Sequence, residues 1–162
     1  MTATVKSFAE IEPRFRDYLS EIRYASMITV DAKGRPRARV LVAVWEVVDG
    51  RPLGWLVTYR TPVKAAHLAA NPHTTFSYWS PRQNAVFIDA TAVWVEDAAA
   101  KRRAWELFRT GSPGGVGYDP GAFWSGPDDP RYHLLRLDPW RVQIVRGADL
   151  RNTIWRADDP WG

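Results

Sequence analysis

The feature that most narrows the fold is a succession of short apolar runs, each about a strand in length and each closed by a turn signal. ASMITV (25–30) leads into the turn DAKG (31–34), where Gly34 can supply a positive φ. RPRARVLVAVWEVV (35–48) alternates at its start, with Arg37 and Arg39 on one face and Ala38, Val40 and Val42 on the other. Asp49-Gly50 is a hairpin signal, and GWLVT (54–58) is the returning strand. TTFSYW (74–79), AVFIDATAVWVE (85–96) and HLLRLDPWRVQIVR (133–146) complete the set, the last with an expected break near Asp138-Pro139.

Helical patterns interrupt these runs only briefly. Ser7-Phe8-Ala9-Glu10 reads as a capping box, and Phe8, Ile11, Phe15, Leu19 and Ile22 form the apolar stripe of a helix over about 7–22. A second helix opens at Thr61-Pro62 and stops at Asn71-Pro72, because the residue before a proline avoids the α region. Asp97 caps a third over about 98–110, and a Gly/Pro/Asp-rich segment, 111–133, reads as a long irregular loop. Five or six strands with two or three short helices predict a mainly β chain, an antiparallel barrel forming one domain over 1–162.

Composition removes several function classes. With 46% hydrophobic residues the chain is not a disordered one, and no apolar run approaches the ~18 residues of a membrane helix. The start, MTATVKSFAE, lacks the apolar core of a secretory signal, so the expected compartment is the cytoplasm. Cysteine is absent, which excludes disulfides and thiolate metal sites. The net charge of +4 comes from scattered groups: Arg35, Arg37 and Arg39, then Lys101 to Arg103, then Arg136, Arg141, Arg146 and Arg151. A nucleic-acid binder would gather them into a stripe among exposed aromatics; this scatter suits a small phosphorylated ligand at least as well. Nine tryptophans predict large buried surfaces, a subunit interface among them.

Familiar catalytic constellations are missing. His67, His73 and His133 are not spaced as metal ligands, and His67 is expected to face solvent on the short helix. GSPGGVG lacks the Lys-Ser/Thr of a phosphate-binding loop, and Asp128-Asp129 and Asp158-Asp159 read as solvated turns. TYRTPVKAAHLAANP (58–72) is the exception. A helix N-terminus already carries unpaired N–H groups and positive partial charge, so a lysine in its first turn costs stability unless an anion is to be bound. Thr58, Thr61 and Lys64 could converge on one phosphate. Alone, Lys64 is better read as a solvated lysine behind an N1 proline; Arg37 and Arg39 on the adjacent strand shift the balance, although they too could form a solvated face.

These residues resemble the pyridoxamine-5′-phosphate oxidase family of flavin-binding split barrels. Gly34-Arg35-Pro36-Arg37-Ala38-Arg39-Val40-Leu41-Val42 matches the family's G-x-P-x-x-R strand, and Val57-Thr58-Tyr59, Pro62-Val63-Lys64, Leu68, Asn71 and Pro72 fall without a gap on its next strand and helix. The resemblance covers about 25–96 well and implies a six-stranded Greek-key barrel, a homodimer with FMN between the subunits. It places the ribityl-phosphate on Arg39, Thr58 and Lys64, with Arg37 beside them, and the isoalloxazine along the backbone of Val40, Leu41 and Val42. The family's flavin-binding glutamine aligns with Ala85, so Gln83 or Asn84 would serve only after a local shift.

Departures from the family pattern bear on substrate. The lysine closing the family's second strand is replaced by Val44, and the C-terminal R-L-H-D-R aligns with Arg151-Asn152-Thr153-Ile154-Trp155, which keeps one arginine and loses the histidine. True pyridoxamine-phosphate oxidase activity is therefore not expected. The resemblance implies an FMN-dependent oxidoreductase on an unidentified small molecule, with cofactor-borne chemistry, no catalytic side chain and no metal. The alternatives are an F420-dependent reductase on the same fold, or a protein that stores or senses a flavin. Tyr118, Phe123 and Trp124 either cover the ring or substrate pocket or pin the loop to the barrel; Tyr118, Trp124 and Arg151 are the substrate-side candidates.

Overall fold

The computed structural model describes residues 1–111 and 115–157. Its strands are β1 (Thr2–Val5), β2 (Ala25–Val30), β3 (Pro36–Leu41), β4 (Val44–Val48), β5 (Arg51–Thr58), β6 (His73–Trp79), β7 (Ala85–Val95), β8 (His133–Arg146) and β9 (Arg151–Arg156). The α-helices are α1 (Glu12–Ile22), α2 (Pro62–Ala70) and α3 (Ala98–Thr110). Asp158 and Asp159, and residues 112–114 of the GSPGGVG segment, lie outside the described residues.

Hydrogen bonding runs in the order β3-β2-β6-β7-β8, with β5 beside the first half of β8 and β4 beside β5. The chain passes from β3 to β4 through Val42-Ala43 alone, so one nearly continuous segment pairs with β2 at its start and with β5 at its end. That split strand joins the two ends of the sheet. The six-stranded Greek-key barrel expected from sequence is thus present, a split barrel made of β2, β3/β4, β5, β8, β7 and β6. Among the described residues there are nine strands rather than six, because β9 adds to the second half of β8 and β1 joins β9 in parallel.

Local chemistry explains the elements. Asp49 and Gly50 both have positive φ, 50° and 74°, the two-residue turn whose twist suits the β4–β5 hairpin. The expected first helix is divided into a 3-10 turn, Phe8–Glu10, and α1. Pro13 has no N–H to bond back to Ala9, so the α-helix begins afresh with proline in its first turn. The Glu10 carboxylate accepts the Ser7 N–H at 2.9 Å, as the capping box requires. β8 does not break at Asp138-Pro139; it continues through a bulge, where Arg141 and Pro139 face the consecutive Asp89 and Ala90 and Trp140 is the extra residue.

The core is aromatic. Phe8, Phe15, Trp45 and Phe76 stack edge to face with centroids 5.1, 6.3 and 5.6 Å apart along the series. Trp45 donates its indole N–H to the Tyr78 hydroxyl at 2.8 Å, and its ring covers Gly54, its partner across the β4–β5 pair, so closely that a Cβ there would lie 2.4 Å from the ring. Trp45, Trp55, Trp105, Trp124 and Trp155 are all buried within the chain, so the tryptophan excess serves the core first; Trp79 and Trp140 stand exposed. Among the described residues no helix is long and apolar enough to cross a membrane.

Candidate functional site

Thr58 ends β5 and Pro62 begins α2, so the chain turns within three residues and sets the helix N-terminus beside the strand end. Thr61 is the extended N-cap (φ −65°, ψ 146°), and Pro62 takes the position where a missing N–H costs nothing. Lys64 consequently points inward and is only 4% exposed. Its ammonium donates to Thr58 Oγ1 and, at 3.0 Å, to the Tyr59 carbonyl. Neither acceptor is charged, and among the described residues Lys64 makes no ion pair. Burial, and secondarily the charge of Arg39, push its pKa down to about 8.

Arg39 approaches from β3. It lies opposite Met27 of β2, and its Nη1 donates to Thr29 Oγ1 at 3.0 Å. Burial first, then neighbouring Arg37, lower its pKa as well. Thr29 is fully buried, and its hydroxyl oxygen is also 2.9 Å from His67 Nδ1. His67 therefore does not simply face solvent, as the sequence suggested: α2 packs on β2, which brings its ring down to the Thr29 hydroxyl. Two strand pairs and one helix thus bring Thr29, Arg39, Thr58, Lys64 and His67 together into a cationic mouth at one end of the barrel.

The other candidates are distributed as follows. Arg37 is exposed on the same face of β3 as Arg39, opposite Thr29. Val40 is 67% exposed, Leu41 is half-buried, and Val42 lies just past the end of β3. Gln83 and Asn84 are in the β6–β7 turn, at the opposite end of the barrel, and are not brought to the Arg39–Lys64 cluster within one chain. Asn84 is held there, donating to Glu21 at 3.2 Å and accepting the Gly147 N–H at 3.0 Å, whereas Gln83 is exposed with a φ of 67° and accepts the Trp79 indole N–H at 3.4 Å. Arg151 is at that far end too, paired with Asp149 at 3.2 Å beside a cleft of about 230 Å³.

The loop aromatics anchor. Trp124 is 5% exposed, donates to the Arg131 carbonyl at 3.0 Å and packs on Tyr59 and Tyr132 with centroids 5.0 and 5.4 Å away. Tyr118 lies against Phe108 and Phe123. Tyr59, whose carbonyl receives Lys64, donates its hydroxyl to the Phe123 carbonyl at 3.2 Å, so the loop is tied to the same strand end that builds the cationic mouth.

Thr29 was not singled out from sequence, and His67 was read only as a solvent-facing residue. The available signal was Thr29 itself, a polar residue on the buried side of the Ala25, Met27, Thr29 alternation.

The barrel joined through a divided strand defines the flavin-type split-barrel class. The family model for pyridoxamine 5'-phosphate oxidase matches residues 11–146, and the chain belongs to that family. No curated protein sequence matches it significantly. Among solved structures, a protein related to general stress protein 26, of the pyridoxinephosphate oxidase family, from Clostridium acetobutylicum superposes with a TM-score of 0.70 at 16% identity, covering 92% of this chain and 96% of that one. PhzG from Burkholderia lata 383, in complex with tetrahydrophenazine-1-carboxylic acid, gives 0.67 at 15% identity, with coverages of 96% and 89%. A pyridoxamine 5'-phosphate oxidase-related, FMN-binding protein from Nostoc punctiforme gives 0.59 at 19% identity, with coverages of 93% and 96%. At such identities the likeness is one of fold.

Proposed function

We propose that the chain is a homodimeric, FMN-dependent oxidoreductase acting on a small organic molecule. The observation that carries the reading is Lys64: a buried ammonium with only neutral acceptors, beside a half-buried arginine, is a cationic site that a phosphate dianion would complete. Arg39, Thr58 and Lys64 would hold that phosphate, with Arg37 at the rim. Bound FMN would supply hydride transfer at its ring; the chain's part is to bind, orient and screen it from water. Family membership and the FMN-binding neighbour from Nostoc punctiforme support the choice of flavin.

The dimer is supported by the outer face of the sheet. Ser26, Ile28, Ala38 and Val40 share that face, with Val40 exposed, and next to them runs a ladder of partly exposed hydrogen-bonded side chains, Thr75–Asp89–Arg141–Gln143–Asn152, across four strands. A second subunit seated there could offer its β6–β7 turn to the first subunit's ring. Gln83, exposed and accepting only the Trp79 indole N–H at 3.4 Å, is freer for that role than Asn84, which Glu21 and Gly147 hold in place. Val44 and the sequence at 151–155 withhold the contacts that would grip a phosphorylated pyridoxamine, so the substrate is a different molecule.

F420 is the second reading. Arg37, exposed beside Arg39 and outside any ion pair among the described residues, suits its acidic tail. Purified protein tests both: a yellow preparation whose released chromophore co-elutes with FMN supports the first, and mass spectrometry identifies F420. A colourless protein that titrates with neither overturns both. Reduction by NADH or NADPH in the presence of a dye separates an enzyme from a storage protein.

A further inference from the structure

The mouth of the barrel contains a second layer that the binding residues do not explain. Arg39 Nη1 is held by Thr29 Oγ1 at 3.0 Å, and the same oxygen is 2.9 Å from His67 Nδ1. A guanidinium can only donate, so Thr29 must accept from Arg39. Its one hydroxyl hydrogen is left to point at His67 Nδ1, which accepts it when the imidazole carries its proton on Nε2. Thr29 is fully buried, so water does not compete for the hydroxyl. Arg39 spends one of five N–H donors on this contact and keeps Nε and Nη2 for a ligand.

We infer that His67 is a positioning residue for the phosphate site: acting through Thr29, it fixes the Arg39 guanidinium in the orientation that meets the phosphate. The inference rests on the FMN reading above and adds a residue that touches neither ring nor phosphate. An arginine has much rotamer freedom to lose, and a guanidinium already fixed by a buried hydroxyl loses less of it on binding. The spacing of the chain supplies the parts. His67 lies three residues after Lys64, one turn along α2, so the helix that delivers the lysine to Thr58 also delivers the imidazole to β2.

The experiment compares FMN with riboflavin, which has the same ring and no phosphate, on purified wild type, Thr29→Val, His67→Leu and His67→Asn. Asparagine places a polar atom where Nδ1 lies, so His67→Asn should keep wild-type FMN affinity. His67→Leu and Thr29→Val should each weaken FMN about tenfold and leave riboflavin unchanged. Equal loss of FMN and riboflavin, or unchanged FMN affinity in His67→Leu, overturns the inference while leaving the FMN site intact. If His67→Leu does not fold, His67→Gln takes its place: its longer amide misses the Nδ1 position, so an FMN affinity equal to that of His67→Asn is the overturning result. A wild type that binds neither flavin refutes the underlying reading instead.

Discussion

Lys64 donates to the Thr58 hydroxyl six residues behind it, and the pair is buried where the strand ends and the helix begins. Hydrogen bonds to two neutral oxygens do not repay the desolvation of an ammonium, so the folded protein carries a cost that a phosphate would offset.

Lys64→Met should therefore stabilise the ligand-free protein by about 1 kcal/mol in urea unfolding while weakening FMN by about 2 kcal/mol. The Tyr59 carbonyl need not be orphaned, since the Thr58 hydroxyl already lies 3.4 Å from it. A variant that loses stability and keeps FMN would contradict this account of the lysine.

The same lysine sets a pH dependence. Folded, it titrates at about 8; unfolded, near 10.4. Between those values the unfolded chain holds more protons, so ligand-free stability should rise as pH increases from about 8 to about 10, and the penalty is fully present below that window. FMN affinity should move the other way, falling above pH ~8 as the lysine neutralises, because the phosphate is already a dianion there. Riboflavin affinity should not change. Calorimetric titration across this range reads both.

The split barrel was legible because turn chemistry and alternation agree along most of the chain. Gly34, Asp49-Gly50 and Asn71-Pro72 close elements where the sequence placed their ends. β1 and β9 were missed: Thr2–Val5 is short and mostly exposed, and Arg151–Arg156 becomes a strand only through its register with β8. Trp140 shows the same limit, since a bulge is a property of two strands. At the site, local pattern supplied Thr58 and Lys64 at one turn and the Arg37/Arg39 face of one strand, and the resemblance supplied the choice of Arg39 with Thr58 and Lys64 for one phosphate. Thr29 and His67 meet 38 residues apart through helix packing, which local pattern does not encode.

Trp45 and Tyr78 form a buried donor–acceptor pair at the barrel centre. Tyr78→Phe leaves the indole N–H without a partner and should cost about 2 kcal/mol. Gly54→Ala should cost about as much by driving a methyl into the Trp45 ring. Chemical denaturation of each variant provides the check, and FMN affinity should survive in both.

Trp124→Ala removes the anchor between the loop, Tyr59 and Tyr132, and should cost about 3 kcal/mol. Limited proteolysis should then cut within the loop between α3 and β8 before it cuts the barrel.

The most direct test is a crystal structure of the protein grown with FMN. The account predicts the phosphate within hydrogen-bond distance of Lys64 Nζ, Thr58 Oγ1 and a free nitrogen of Arg39, with Thr29 still bridging Arg39 and His67. A flavin whose phosphate lies against other residues, with Lys64 still bonded only to Thr58 and Tyr59, would contradict it.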